Sequence, residues 1–466
     1  MNAVDTPSAA PSPASLTEIV AAAFAHLSPD ALPADLRETL DRLLLDYAGL
    51  CAAARDTDYV AALLSAAGEG PCTLIGHART ADAYSAALLN GTAAHGEDFD
   101  DTFEGGPIHS SAVVLSAVLA ACEAEGRSGA DARLGAAVGI ELMCRLSLVA
   151  PKAIHKAGFH PTAVIGALGA AAGVSAALGL PEAKIVQALG IAGSMASGII
   201  EYLSDGSSTK RLHAGWAAQS GLRAAMLARG GFTGPRLVLE GEHGFFRAFA
   251  PSVTPDFAPL TDGLGTRWLT QTVAFKPYAC GTMTQPYVDC AIELATRGIA
   301  AEDIESIECE VGEGTVHRLW EPLAQKQVPP TPYFAKFSSP YCIAVGFVAG
   351  AAGLSQFTES SVRDPAVLGL ARKVRYVVDP ANPYPKRFTG HVRALLRSGE
   401  TVEVRRADMR GGAHDPLPTA EIRDKFDRNL AHGGIAPESA GRWADACARL
   451  FDTKEPVSLK SFATPA

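Results

Sequence analysis

The feature that most limits how this chain can fold is a run of helix-forming segments between residues 112 and 228. Five stretches in this run are rich in Ala, Gly, Leu and Val, and Gly, Pro and Ser, which interrupt helices, separate them. Small side chains let neighbouring helix backbones approach closely. The run therefore predicts a large all-helical bundle. The predicted helices span residues 112–125, 130–150, 162–178, 182–197 and 214–228.

The pattern changes near residue 270, where short alternating segments typical of strands begin, and helical patterns return after Gly411-Gly412. We therefore predict a mostly α protein in two domains. Both chain ends, residues 1–275 and 410–466, form the all-helical domain, and residues 276–409 form an inserted, smaller α+β domain. The predicted strands are 304–311, 374–378, 388–396 and 401–406, and the remaining helices are 33–55, 60–67, 337–351, 419–431 and 437–451.

Composition excludes several classes of protein. The formal net charge is −10 and no run of Lys or Arg offsets it, which argues against a nucleic-acid partner. Nine scattered cysteines without a C-x-x-C predict reduced thiols in a cytoplasmic protein and argue against an iron–sulfur hydratase. Residues 1–16 are rich in Ala, Pro and Ser and lack the basic start and apolar core of a signal peptide, so we predict a flexible tail.

Residues 162–180 are uncharged over about the length that spans a bilayer. However, Ala and Gly dominate this stretch and contribute little transfer free energy, and the flanking segments carry charges every few residues. We therefore predict a helix buried among other helices and no membrane partner. Gly166, Gly169 and Gly173 would allow its backbone to approach its neighbours.

Residues 95–111 concentrate five carboxylates, two imidazoles and several hydroxyls between two apolar segments. If residues 84–102 form one helix, Asp98 and Thr102 lie one turn apart on the same face and act together. Ser110 or Ser111 suits the N-cap of the next helix, which places His109 beside a helix N-terminus. There the helix dipole favours a neutral, proton-accepting ring and a bound anion. The alternative is a solvated loop whose carboxylates only cap helices.

The same stretch contains residue types that bind metal ions, with His95 close to three aspartates. On a continuous helix, however, Asp98, Asp100 and Asp101 would point to different faces. We therefore predict no metal site.

A second histidine precedes another apolar helix. In Gly158-Phe159-His160-Pro161-Thr162 the proline suits the first helical position, so His160 falls at the N-cap. It is a second candidate base, and the alternative is a histidine that only caps the helix.

Residues 205–213 form a hydroxyl-rich loop that ends in two cations, Lys210 and Arg211. Its backbone amides, Ser207 and Lys210 would form an anion cradle, and the absence of Walker spacing favours a carboxylate over a nucleotide phosphate. The alternative is a solvated helix start. Lys276 lies at the domain junction and would reach a ligand between the domains, while Lys336 and Tyr341 are candidates from the second domain.

Seven motifs follow one another along the chain, namely Leu89-Asn-Gly-Thr-Ala-Ala-His95, Asp98-Phe-Asp-Asp-Thr102, His109-Ser110, Gly158-Phe-His-Pro-Thr162, Lys210-Arg-Leu-His-Ala-Gly215, Gly231-Phe-Thr-Gly-Pro235 and Lys276-Pro-Tyr278. Together these motifs resemble the MmgE/PrpD family over about residues 15–455. The resemblance implies a large helical domain made of both chain ends, a smaller domain like chorismate mutase, a homodimer and no metal or organic cofactor. The family's known activities are 2-methylcitrate dehydration, cis-aconitate decarboxylation and iminodisuccinate epimerisation, all on small polycarboxylates.

The resemblance also implies which residues form the active site, namely Asp98, Thr102, His109, His160, Lys210 and Lys276. We predict that the two histidines and two lysines are catalytic, because proton removal beside a carboxylate needs a base and nearby cations. The predicted substrate-binding residues are Asp98, Thr102, Ser207, Arg211, Gln285 and Tyr341.

One position departs from the family. Dehydratase and decarboxylase members resemble one another in a histidine after the junction lysine, where this chain has Gln285. An amide holds a ligand but does not exchange a proton near neutral pH. Dehydration needs an acid for the departing hydroxyl, whereas epimerisation needs only proton exchange.

We therefore predict an epimerase of the iminodisuccinate type, acting on a dicarboxylate amino-acid derivative. The alternative is a dehydratase or decarboxylase acting on an acid like 2-methylcitrate or cis-aconitate. A non-enzymatic scaffold or carboxylate-binding protein is a third class, but such a protein has little use for two histidines and two lysines in one cleft.

Overall fold

The computed structural model describes residues 13–106 and 108–464. Helices dominate the first 260 of them, and the five helices predicted between 112 and 228 are all present. The last begins earlier than predicted, so Lys210 and His213 belong to its first turns. The helices are α1 Leu16–Ala25, α2 Ala34–Ala54, α3 Asp58–Ala66, α4 Ala83–Gly96, α5 Ser111–Glu125, α6 Gly129–Val149, α7 Ala153–Lys156, α8 Pro161–Ala177, α9 Glu182–Met195, α10 Tyr202–Asp205, α11 Thr209–Arg229, α12 Phe245–Phe249 and α13 Ala258–Thr261.

Small residues allow the central helices to pack closely, as the glycine pattern of α8 predicts. A Cβ atom added at Gly173 would lie 2.7 Å from the carbonyl oxygen of Gly135 on α6, and one at Gly169 would lie 2.2 Å from the Cγ of Met143. Both distances are shorter than van der Waals contact, so α6 and α8 could not approach this closely with larger residues. The whole of α8 is accordingly buried except for its first residue.

The α+β part follows the short strands β1 Cys72–Thr73, β2 Thr80–Ala81, β3 Thr102–Phe103 and β4 Val273–Ala274. Its elements are α14 Gln285–Thr296, β5 Ile304–Val311, α15 Glu313–Leu319, α16 Leu323–Gln327, α17 Pro332–Ala335, α18 Ser339–Ala349, α19 Pro365–Ala371, β6 Val374–Val378, β7 Gly390–Leu396 and β8 Thr401–Arg406. The four-stranded sheet has the order β6-β5-β7-β8, in which β5 and β6 are parallel and the other neighbouring pairs are antiparallel. The helix α14 packs against β7 and β8, and the four strands match the predicted ones closely.

The last two helices, α20 Thr419–His432 and α21 Pro437–Leu450, return to the first ones and pack against α2. Their buried side chains share one hydrophobic core with the N-terminal helices, and most of the α+β part has a second core of its own. The domain boundaries at 275 and 410 and the likeness to chorismate mutase stay predictions.

One predicted helix is wrong. Residues 84–102 do not form one helix, because α4 ends at Gly96 and Asp98 has a φ of 56°, which interrupts the helix. The predicted flexible tail, residues 1–16, lies mostly outside the described residues, and at its end Ser15 caps α1 and Leu16 opens it. The helix α14, which was not predicted, has Pro286 near its start.

Within the described residues, no single helix has the length and apolar composition to cross a membrane. One bent pair, Ser339–Ala349 with Leu354–Arg363, reaches that length and composition only when the two helices are taken together. All nine cysteines are buried and free.

Candidate active site

The strand pair β3–β4 brings the acidic stretch beside the segment that carries Lys276. Thr102 pairs with Ala274, so Lys276 lies two residues beyond the paired segment and next to residues 98–102. Thr102 therefore belongs to a strand and does not share a helix face with Asp98. Its hydroxyl is fully buried and has no hydrogen-bond partner among the described residues.

Asp98 lies between the two predicted lysines. Lys210 forms a hydrogen-bonded ion pair with one carboxylate oxygen, and Lys276 Nζ lies 3.2 Å from the other and 2.9 Å from the Asp98 carbonyl oxygen. Burial alone would raise the pKa of Asp98, but the two ammonium groups hold it well below its usual value. Burial lowers the pKa of Lys210, and Asp98 opposes that shift. The group is a buried carboxylate shared by two lysines.

Asp100 connects two imidazoles. Its carboxylate oxygens lie 2.8 Å from His95 Nδ1 and 3.3 Å from His109 Nδ1. His109 Nδ1 also lies 2.7 Å from the Asp101 carbonyl oxygen, which can only accept, so this nitrogen carries the proton. The lone pair or second proton of His109 is therefore at Nε2, the atom available for proton transfer.

Ser110 is the N-cap residue of α5, as predicted, but the Asp101 side chain makes the capping hydrogen bonds. Its carboxylate accepts hydrogen bonds from the backbone N–H groups of Ser110 and Ser111 at 3.0 Å each, and from both serine hydroxyls. The Ser110 side chain makes no capping bond of its own. A negative charge at a helix N-terminus is favourable, and here it also fixes the loop that carries His109.

His160 is the N-cap of α8, as predicted, but its side chain makes no capping hydrogen bond. Its Nδ1 lies 3.2 Å from the Nδ1 of His213 on α11, so one ring donates and the other accepts. Burial lowers the pKa of His213 to about 4 and that of His160 well below its usual value, and neighbouring histidines and Lys210 add to both shifts. These rings are uncharged near neutral pH.

The rings of four histidines form one cluster. The centroid of His95 lies 4.9 Å from that of His109 and 5.7 Å from that of His160, and His160 lies 5.3 Å from His213. Burial also lowers the pKa of His95, although Asp100 opposes the shift. The predicted catalytic residues His109, His160, Lys210 and Lys276 thus meet around Asp98 and Asp100.

The α+β part covers this cluster with aromatic side chains that were not predicted. Phe337 lies under the Lys210 ammonium at 5.0 Å, and Tyr333 on α17 stacks against the Arg211 guanidinium at 3.8 Å. Arg211 also donates from Nε to the Gly96 carbonyl at 3.2 Å. Arg211 therefore lies at the edge of the site, between α4 and α17.

Three predicted binding residues lie elsewhere. The Gln285 amide is fully buried and is occupied by the backbone of Tyr278 and Cys280. The Tyr341 hydroxyl donates to the Gln356 carbonyl inside the second core. Ser207 lies in the loop before α11, where its N–H donates to Asp205. The structure does not bring these three to the cluster, and their predicted roles have no support from a contact.

His95, Asp100 and His109 offer three ligand atoms within 4.8 Å of one another, a spacing compatible with a metal ion. Both imidazole nitrogens that face Asp100 already lie at hydrogen-bonding or ion-pair distance from its carboxylate. A metal ion would have to displace the Nδ1 proton of His109, which the Asp101 carbonyl holds. This group fits a hydrogen-bonded triad better than a metal site.

Several site residues were missed, and two of them had a detectable signal. His213 follows Lys210 by three residues, the spacing that places side chains on one helix face, but α11 was predicted to begin after it. His95 was considered only as a metal ligand, although it lies on the predicted helix 84–102, one turn before Asp98. Tyr202, whose ring centroid lies 5.7 Å from that of His213, and Tyr333 belong to short segments whose sequences carry no periodic pattern.

The fold and the site together define a helical protein with a buried group of lysines, aspartates and histidines suited to a small polyanion. Residues 18–258 match the MmgE/PrpD N-terminal domain, and residues 278–449 match the MmgE/PrpD C-terminal domain. The chain belongs to the MmgE/PrpD family, as the motifs predict.

Named relatives share most of their length with this chain. Cis-aconitate decarboxylase of Aspergillus terreus is 30% identical over 452 residues, which cover 89% of this chain and 88% of the relative. The human protein of the same name is 32% identical over 360 residues, covering 74% of this chain and 72% of the relative. The mouse protein, also so named, is 32% identical over 363 residues, covering 74% and 71%.

These names contradict the predicted epimerase, because a decarboxylase is a carboxy-lyase and not an isomerase. The prediction relied on Gln285 replacing a proton-exchanging histidine. In the structure Gln285 fastens a loop, while four clustered histidines retain the capacity for proton transfer. A single substituted position was therefore a poor guide to the reaction.

Proposed function

We propose that this chain is a carboxy-lyase acting on a small unsaturated polycarboxylate of the cis-aconitate class. The observation that carries the proposal is the pair of lysines sharing Asp98 beside His109, whose ring is fixed by Asp100 and Asp101. The names of the relatives support the reaction type.

The lysines are suited to binding the carboxylates of the substrate. An ammonium group has three N–H donors. Lys276 directs its donors to two Asp98 oxygens and Lys210 uses one donor for Asp98, so both retain capacity for a further acceptor. The two ammonium groups share the single carboxylate of Asp98, so together they can still attract a carboxylate of the substrate in this buried site. Arg211 at the edge adds a third cation.

The reaction needs a proton donor as well as cations. When the bond to the departing carboxylate breaks, CO₂ leaves and the electron pair shifts the neighbouring double bond by one position. The far alkene carbon then takes up one proton, so a tricarboxylate becomes a dicarboxylate. The lysines offset the negative charge that develops on the remaining carboxylate during this shift.

His109 is the proposed proton donor. Its Nδ1–H is held by the Asp101 carbonyl, which leaves Nε2 to carry the transferred proton. The Asp100 carboxylate at 3.3 Å stabilises the positive charge of the protonated ring. The substrate's own negative charge acts in the same direction once it is bound. His160, which has imidazoles as its nearest ring neighbours, is assigned to lining the site.

Incubation of the purified protein with cis-aconitate in deuterated buffer tests the proposal. We expect CO₂ release and a dicarboxylate product with one deuterium at the protonated carbon, detected by NMR. His109→Gln is the matched control and should abolish both signals. Loss of water from 2-methylcitrate without CO₂ release from any unsaturated tricarboxylate would assign the chain to the hydro-lyases instead, and binding without turnover would make it a carboxylate-binding protein.

A further inference from the structure

Lys425, on helix α20, contacts the backbone of the residue that follows Asp98. It is 7% exposed, and its Nζ lies 2.9 and 2.8 Å from the two carboxylate oxygens of Asp46 on α2. The same ammonium donates to the Phe99 carbonyl at 2.7 Å and lies 4.0 Å from the centre of the Phe99 ring. Neither Lys425 nor Asp46 belongs to a motif found in the sequence, and neither has a role in the proposed mechanism.

The residue held by Lys425 follows the site's central carboxylate directly. Asp98 has a φ of 56°, the left-handed region that side chains other than glycine rarely adopt. Its carbonyl accepts from Lys276, and the next carbonyl, that of Phe99, accepts from Lys425. Two successive carbonyl groups are thus each fixed by a buried ammonium group.

This arrangement offsets the cost of the left-handed backbone at Asp98. A residue in this conformation persists only where its surroundings determine it strongly. Lys210 and Lys276 hold the Asp98 side chain, but they are also the groups that are proposed to bind the substrate. Lys425 holds the backbone one residue further on, at the Phe99 carbonyl, and does not contact the proposed reacting groups. It can therefore maintain the turn while Lys210 and Lys276 exchange Asp98 for the substrate.

Asp46 makes the burial of this ammonium group acceptable. A buried charge without a partner is strongly unfavourable, and Asp46 is itself only 2% exposed. Both carboxylate oxygens face Lys425. The two residues therefore act as one unit that joins α2, α20 and the turn after α4.

We propose that Lys425, compensated by Asp46, is a positioning residue that holds Asp98 between Lys210 and Lys276. The inference rests on the proposed function, because Asp98 and the two lysines are the groups assigned to substrate binding there. It adds a residue from the other end of the chain to the machinery of that site.

A crevice of about 770 Å³ makes a direct test available. It lies between α14, residues 350–356 and α20, and both Lys425 and Phe99 line it. A small amine can therefore enter from outside and occupy the place of a removed Lys425 ammonium. Rescue by an amine separates the loss of this charge from a general loss of structure.

The experiment compares Lys425→Ala with Lys373→Ala. Lys373 also donates to two carbonyl groups, those of Ala301 and Ile304, but it does so in the α+β part. Turnover per folded protein and the affinity for a tricarboxylate, measured by calorimetry, should both fall about 30-fold in Lys425→Ala, as expected for displaced binding groups. Both should stay unchanged in Lys373→Ala. Ethylamine should restore several-fold of the lost turnover, and ethanol should not.

Wild-type turnover and affinity in folded Lys425→Ala would overturn the inference, as would equal rescue by ethanol, which would show that only packing was lost. If Lys425→Ala does not fold, Asp46→Asn serves instead, with an expected loss of about 5-fold in affinity, and unchanged affinity overturns the inference. Failure of the wild-type protein to release CO₂ refutes only the proposed function. Tricarboxylate affinity of the variants then still decides the role of Lys425.

Discussion

The two histidines that precede apolar helices, His109 before α5 and His160 before α8, look alike in the sequence but have different surroundings. His109 has the carboxylate of Asp100 at 3.3 Å and the carbonyl of Asp101 at 2.7 Å. The hydrogen-bond partner of His160 is another imidazole, that of His213 at 3.2 Å. The same local pattern thus yields one ring that is supported as a proton carrier and one that burial keeps neutral.

The difference arises from the residues that cap each helix. At α5 the Asp101 carboxylate satisfies the backbone N–H groups, which leaves the His109 ring free for another function. At α8 Pro161 has no N–H to satisfy, and the His160 side chain makes no capping bond. A helix N-terminus therefore positions an imidazole in both cases, while the neighbouring acids decide what it can do.

The largest expected effect separates the two rings in catalysis. His109→Gln removes the proposed proton donor, and kcat for CO₂ release should fall about 10³-fold, within the usual range for losing a general acid. His160→Gln should lower kcat only about 10-fold, because it alters the lining of the site. Steady-state kinetics on both variants measure the difference, and equal losses would show that the rings share one role.

Asp101→Ala should have the largest effect on stability. The carboxylate accepts four hydrogen bonds at the start of α5, so its removal leaves buried donors unsatisfied. We expect the free energy of unfolding to fall by about 3 kcal/mol. Urea denaturation followed by circular dichroism measures this change. A loss below about 1 kcal/mol would mean that water or the serines replace the cap.

Asp100→Asn tests whether the carboxylate orients His109. The amide presents one oxygen and one N–H₂ group, so it cannot accept hydrogen bonds from both His95 and His109 as the carboxylate does. We expect kcat to fall about 10²-fold with little change in KM, because one ring is forced into the wrong tautomer. A KM effect alone, measured in the same assay, would assign Asp100 to substrate binding.

The smallest effect concerns pH and the His160–His213 pair. Burial lowers the pKa of His213 to about 4, so between pH 6.5 and 4 the unfolded state binds more protons than the folded state. The free energy of unfolding is therefore highest above pH 6.5, where the His213 ring is neutral in both states. It falls as the pH is lowered, by about 2 kcal/mol at pH 5. His160, with a pKa also lowered by burial, acts in the same direction.

Asp46 opposes this trend, since burial raises its pKa to about 6 and its protonation favours the folded state below that pH. Urea denaturation at pH 7 and pH 5 measures the balance. In His213→Asn the decrease in stability should be smaller by about 2 kcal/mol. An unchanged pH dependence would show that the imidazole pair does not govern acid stability.

Residue patterns alone were enough to predict most of the helices longer than ten residues, the four longer strands, the family and the four central groups of the site. Periodicity over ten or more residues is a local property. Pro161 marks where a helical pattern begins, and Gly411-Gly412 marks where the strand pattern ends. The ionisable residues concentrated in 95–111 and the lysines at 210 and 276 could be recognised as candidates because they too form local sequence patterns. Their motif order also indicated that they belong to one site.

Only the tertiary structure decided how these groups are paired and which others join them. The left-handed turn at Asp98, the strand pair that places Lys276 beside it, and Lys425 arriving from α20 depend on contacts between distant parts of the chain. Gln285 is the opposite case. Its side chain was expected to hold a ligand, but its amide makes hydrogen bonds to the backbone of its own loop. How deeply a side chain is buried, and which of several hydrogen-bond partners it takes, depend on the packing of distant segments. A local sequence pattern therefore cannot reveal either one.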